Sequence, residues 1–413
     1  MKKQMKMTKL KTLLLSSLSA FFLAEISHAQ TLQINSASAI PANGATSGIA
    51  VSNSDFSIFT PQQQTHSKSI DYSVLDSILS NVVVDLGPST RIFQRRPDPE
   101  LGTRIVNGHT SPYRLEGKRI MFSFLDNDFK SGVSDYRKDL QEVGSKIDLT
   151  RFSRDEQLAY WLNLHNVAVI EQIALYYPAK SPRKIKIDVN GNKVDFHNAK
   201  FMTVKGVSLS LRDIREKIVY PNWDSPEIIY GFFHGDIGSP SVQEYAFTPD
   251  RFDFIFSSNA EEFVNSLRGV RKTSKGISIS EIYENEGRFY FKGSDAALRQ
   301  HLLKHAGEEV RGILQSGESF VSSRPIDVIA DLAGGSRRVP NLAVQSSDLS
   351  DNRNRNLPPG VARILRESAN KYEILRRRGV VGGIRNGTVT IQDIETSDQS
   401  QPVDENEEGS LIK

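Results

Sequence analysis

Residues 153–177 read as one long helix. Ser153 followed by Glu156 has the spacing of a capping box, which satisfies backbone N–H groups that an α-helix leaves open at its start, and Pro178 stops the pattern just after a double tyrosine. Each residue rotates the helix by about 100°, so Leu158, Trp161, Leu162, His165, Val169 and Ile173 share one broad face. That apolar stripe faces a core, and His165 lies inside it. Glu156 is expected to serve as the partner of the cap.

Other segments have the two-residue period of strands. Residues 184–189 and 193–196 alternate around Asn190-Gly191, the dipeptide most typical of tight hairpins, and predict a surface hairpin. Short strands are expected at 201–204, 207–210 and 287–291, with helices at 70–82, 211–219, 250–267 and 294–305. The mixture predicts an α+β fold with a single main domain over residues 70–335. Before it, 30–69 is dominated by small polar residues and is expected to be a disordered linker. After it come a linker at 336–358, a basic helix at 359–378 ending in Arg376-Arg377-Arg378, and a disordered acidic tail at 379–413. The chain shows no internal repeat.

The first 29 residues read as targeting. Five lysines within eleven residues, an apolar run at 13–24 and Ser27-His28-Ala29 predict a signal peptide with a small-x-small cleavage pattern. The expected location is periplasmic or secreted, with no membrane span in the mature chain. Without that leader the formal net charge of +3 falls to −1, because five lysines and one glutamate leave with it. A near-neutral exported chain argues against nucleic acid as a partner.

The 413 residues include no cysteine, which excludes disulfides, thiolate metal sites, iron–sulfur clusters and a cysteine nucleophile. This bears on a resemblance carried by three segments in order. Glu156-Gln-Leu-Ala-Tyr-Trp-Leu-Asn-Leu-His-Asn-Val-Ala-Val-Ile170 resembles the signature helix of the family known as domain of unknown function 547 (DUF547). Gly206-Val-Ser-Leu-Ser-Leu-Arg-Asp-Ile214 resembles its Ser-Leu-x-Asp-Ile stretch, and Tyr230-Gly-Phe-Phe-His-Gly-Asp-Ile-Gly-Ser-Pro240 its Ser-Cys-Pro region. The resemblance spans 153–267. It implies an α+β fold similar to papain or transglutaminase-like domains. Family members often carry two cysteines in the third segment, where this chain has His234 and Ser239. Arg215 and Glu216 replace the usual glutamate-histidine pair.

The residues themselves support several chemistries. Ser239, His234, His165 and Asp236 are the candidate catalytic set: a hydroxyl nucleophile, an imidazole base, and a carboxylate to orient it, beside a glycine-rich turn whose N–H groups could hold an oxyanion. Trp161, Asn163, Asn166, Phe233 and Gly238 are the candidate binding cleft. For each there is a plainer reading: a hydrogen-bonded core histidine, asparagines that tie loops to a helix, core aromatics, an ordinary Gly-x-x-Gly-Ser-Pro turn. His165, His234, Asp236 and Asp213 offer metal-type donors without a spacing that forces convergence, and His301 with His305, four apart, reads as solvated helix surface; no metal and no cofactor is expected. The leading expectation is a non-thiol binding or assembly component with a degenerate cleft, whose partner is a periplasmic peptide, small molecule or protein. The alternative is a serine-dependent hydrolase or transferase acting on a periplasmic peptide or ester. The sequence leaves open whether the chain catalyses anything.

Overall fold

The computed structural model describes residues 53–62, 69–99, 101–106, 108–323, 325–336 and 358–379. The expected signal peptide, and nearly all of the 336–358 linker and the 379–413 tail, lie outside the described residues. The longer helices are α1 (Ser73–Val82), α2 (Asn127–Lys146), α3 (Arg154–Tyr176), α4 (Phe252–Val264), α5 (Asp295–His305), α6 (Glu308–Gln315) and α7 (Pro359–Arg377). Three antiparallel pairs join β1 (Val83–Asp85) to β2 (Lys118–Ile120), β3 (Lys186–Val189) to β4 (Asn192–Asp195), and β5 (Met202–Val204) to β6 (Val207–Leu209). A three-stranded sheet sets β8 (Gly276–Ile279) antiparallel to β7 (Val270–Thr273) and parallel to β9 (Phe320–Ser322). The fold is α+β.

The helix expected at 153–177 is α3, and it is buried on nearly all sides rather than along one stripe. The Ser153 hydroxyl accepts from Glu156 N–H at 3.1 Å, as a cap should. Glu156 does not close the box: its carboxylate accepts from Ile70 N–H at 2.8 Å and ties the segment before α1 to the start of α3. Full burial obliges each polar side chain on α3 to find a partner. Glu171 takes a bidentate pair from Arg137 of α2 at 2.8 and 3.0 Å, and Tyr160 donates to the Leu140 carbonyl at 3.0 Å.

The α2–α3 contact closes at Gly144, where an added Cβ would lie 2.0 Å from Tyr160 Oη. Two effects oppose each other in Gly144→Ala: a helix-propensity gain of about 1 kcal/mol and overpacking that costs roughly 1–3 kcal/mol. Tyr160 is buried and hydrogen-bonded, so it has nowhere to retreat. Net destabilisation is expected in urea unfolding; an equal or higher midpoint would show that the contact yields.

Two expectations are corrected. Residues 287–291 are not a strand: the chain forms short helices at Ile282–Asn285 and Arg288–Phe291, because Phe289 and Tyr290 pack against Tyr220, with ring centroids 5.2 and 5.7 Å apart, instead of lining a sheet. Order reaches back beyond residue 70, since the 3-10 helix Asn53–Phe59 buries Phe56 and Phe59 in the core. The basic helix forms as α7, and its Val361 and Ile364 join Leu86, Leu115, Leu332 and Ala333 in a small apolar cluster. No helix of the described residues is long and apolar enough to cross a membrane.

The hairpin forms as expected around Asn190 and Gly191, both at positive φ. Beyond β6, Ser210 and Asp213 make a complete capping box, but the helix they start continues as a π-turn over Ile214–Val219. The Tyr220 N–H reaches the Arg215 carbonyl at 2.9 Å, five residues back. Such wider turns re-aim side chains and recur at functional sites; this one carries Arg215.

Candidate functional site

Two asparagines on α3 fix the loops around it. The Asn163 amide bonds both backbone groups of Phe247 at 2.8 Å. Asn166 donates to the Gly231 carbonyl at 2.9 Å and accepts from Phe233 N–H at 3.0 Å, which lays residues 231–240 along the helix. Gly235 is required there: its φ is +90°, and a Cβ would meet Ile173 Cδ1 at 2.5 Å.

His165 is wholly buried, edge-on to Phe232. Arg215 Nη1 lies 2.8 Å from its Nε2, and a guanidinium only donates, so Nε2 accepts and Nδ1 carries the proton, donated to Asn166 Oδ1 at 3.0 Å. Burial first, then the charge of Arg215, holds this imidazole well below its ordinary pKa, and it stays neutral. Arg215, equally buried, donates from Nε to Glu286 Oε1 at 3.1 Å. The same oxygen is 3.1 Å from His234 Nε2, and Tyr220 donates to Oε2. Burial pushes Glu286 up, but His234 and Arg215 outweigh it and hold the carboxyl down to about 2. The His234 ring lies 5.7 Å from that of His197 and 6.4 Å from that of His165.

This chain of charges backs onto a cavity of about 420 Å³ with a strongly polar wall. Its four guanidiniums are paired: Arg183 with Glu281, Arg215 with Glu286, and both Arg288, at 3.0 Å, and Arg212, at 3.6 Å, with the one carboxylate of Glu216. Asp236 on the same wall is different. Its carboxylate accepts no hydrogen bond from the described residues, and the group is walled in although the residue stays partly accessible through the cavity. Burial pushes it up to about 6; His234 and Arg183 pull it down, and Asp327 and Glu281 push it up.

Of the residues singled out in the sequence, His234, Asp236, Gly238 and Ser239 line this cavity. Ser239 Oγ donates to the Asp236 carbonyl at 2.8 Å and accepts from His234 N–H at 3.4 Å, so it ties its own turn, and no imidazole nitrogen bonds it among the described residues. His165 sits behind the wall. Trp161 packs edge-on to Phe59 and Tyr160 in the core, and Phe233 is buried with it. Asn163 and Asn166 hold loops. Asp213 caps its helix and pairs with Lys217 at 2.8 Å, and it does not gather with His165, His234 and Asp236 into a set of converging ligand atoms. Sequence reasoning missed His197 and Glu286, and named Arg215 only as a departure from a motif. Glu286 lies 71 residues beyond Arg215, with no local pattern to mark it.

Residues 149–264 match the family described as Protein of unknown function, DUF547. This segment is a DUF547 domain. No curated protein and no solved structure matches the chain, and the expected likeness to papain or transglutaminase-like folds is without support. The DUF547 domain supplies His165, Arg215, His234, Asp236 and Ser239, whereas Glu281, Glu286 and Arg288 lie past its end. The cavity is therefore completed by chain that the family match does not cover.

Proposed function

We propose that the DUF547 domain of this chain is a binding module for a small polar ligand carrying both charges, such as a short peptide. The observation that carries this reading is the unpartnered Asp236 carboxylate on a cavity wall whose arginines already have partners. A purely anionic or purely cationic ligand would meet an opposing member of each pair. A zwitterion can set its ammonium on Asp236 and take over an arginine from its glutamate. The Arg183 and Arg288 side chains are 46% and 57% exposed, and ion pairs that open to water contribute only about 0–1 kcal/mol, so their exchange is cheap. The same reading takes residues 1–29 as a signal peptide and the ligand as periplasmic or extracellular.

One observation favours the serine-dependent hydrolase or transferase: Ser239, His234 and Asp236 share the wall. The hydrogen bond of Ser239 Oγ to a carbonyl, rather than to an imidazole, weighs against it.

The test is calorimetric titration of the full chain with trialanine. Asp236 binds an ammonium only as the carboxylate, and the trialanine amine is an ammonium only below about pH 8, so affinity should peak near pH 7 and fall as pH drops through about 6. Asp236→Asn should weaken binding at pH 7 roughly tenfold and abolish the fall toward acid pH. Unchanged affinity in Asp236→Asn would sink the reading. Fold-dependent labelling by a fluorophosphonate that vanishes in Ser239→Ala would replace it with the hydrolase.

A further inference from the structure

His301 and His305, expected on a solvated surface, are each only 7% exposed on α5. Four residues apart, they present both imidazoles on one face. Opposite them lies Glu227, on the 3-10 helix Pro226–Gly231. One donor atom from each of the three residues falls within 4.8 Å of the other two. His305 Nε2 is buried without a hydrogen-bond partner and lies 3.5 Å from Glu227 Oε1. That separation is long for a hydrogen bond but close to the about 3.4 Å between ligand atoms of a tetrahedral centre with bonds of about 2.0–2.1 Å.

The neighbours are compatible with such a centre. Tyr230 Oη stands 3.0 Å from His301 Nε2, with its ring stacked on the imidazole. Ser225 donates to the other Glu227 oxygen at 2.8 Å, and the His305 carbonyl is held by Asn265 at 2.8 Å, which fix two of the three ligands. Lys304 Nζ, 2.5 Å from Glu227 Oε1, is the competing cation; its side chain is 65% exposed and free to swing into water.

We propose that Glu227, His301 and His305 bind a transition-metal dication, with zinc the best fit. Two imidazoles and one carboxylate suit zinc and its first-row neighbours, whereas magnesium and calcium prefer oxygen throughout. The metal pins α5 to the 3-10 helix that runs directly into residues 231–240, and so steadies the cavity wall from behind.

The full chain, stripped with chelator, is titrated with zinc chloride and separately with magnesium chloride. Zinc should bind with one equivalent at a dissociation constant of about 1 μM or tighter and raise the melting temperature; magnesium should do neither. Glu227→Gln and His305→Asn should each weaken zinc binding roughly 100-fold. Glu227→Gln keeps shape and hydrogen bonding, so it carries the test if His305→Asn fails to fold. His234→Asn, at the other imidazole cluster, should leave zinc affinity unchanged. Absence of zinc binding, magnesium binding of equal strength, or zinc binding that survives Glu227→Gln overturns the proposal.

Discussion

Arg215→Met should destabilise the folded chain by roughly 3–5 kcal/mol at pH 7, the usual consequence of removing one partner from a buried ion pair. Methionine fills much of the volume, so the loss is electrostatic rather than a cavity effect. Glu286 would keep only the Tyr220 hydroxyl and the His234 imidazole, and His165 Nε2 would lose its donor. The pH dependence identifies the cause. In the native chain Glu286 titrates near 2 against an ordinary 4.5, so its carboxylate contributes stability that is complete above pH 4.5 and lost as pH falls through 2. Without Arg215 its pKa rises, and protonation then relieves the unpaired charge. The gap between native and variant should therefore be widest at neutral pH and narrow between pH 4.5 and 3. Urea unfolding at pH 7 and pH 3.5 measures both values. A loss under 1 kcal/mol that is the same at both would show that the pair is replaceable.

How much of this was legible in the sequence depended on range. The cap at Ser153, the turn at Asn190-Gly191 and the limits of α5 and α7 are set by neighbours within a few residues, and each formed close to where it was expected. The role of Glu156 was half legible: spacing predicted its place in the cap but not that Ile70, 86 residues away in sequence, would take its carboxylate. The short helix Arg288–Phe291 was misread because Phe289-Tyr290-Phe291 has strand propensity, which the packing of Phe289 and Tyr290 against Tyr220 overrides. The site divides the same way. His234, Asp236 and Ser239 stand out because they share one glycine-rich turn. Arg215–Glu286 and Glu227–His305 are pairings across the fold, and charges that meet only in three dimensions leave no period in the chain.

The third long-range arrangement holds α7, and it explains why a helix with so basic a sequence packs at all. Lys371 is buried, and its ammonium donates to the carbonyls of Leu115 at 2.7 Å, Pro88 at 3.1 Å, and Leu86. Burial lowers its pKa to about 8, with Asp85, Glu116 and Glu262 opposing the shift, so it remains mostly charged at pH 7. Arg114 adds a bidentate pair to Glu367 at 2.6 and 3.0 Å. Gly87 at φ +79° lets the Tyr372 ring close over it. Lys371→Met would strip donors from three carbonyls, each costing about 1–3 kcal/mol if left unsatisfied. Of its own large apolar side chains α7 buries only Val361, Ile364 and Leu375, with Leu365 at the edge of the cluster beneath it, too little to offset that loss. The helix should therefore come away and let water reach the carbonyls, while the body around α3 stays folded. Hydrogen exchange should show α7 amides losing protection by roughly 100-fold, as expected for a local opening that has become about 3 kcal/mol easier, with α3 amides unchanged. Trypsin should cut among Arg363, Arg366 and Arg376 before any other site in the folded body. Unchanged α7 protection would mean that the apolar contact and the Arg114–Glu367 pair hold the helix without the lysine.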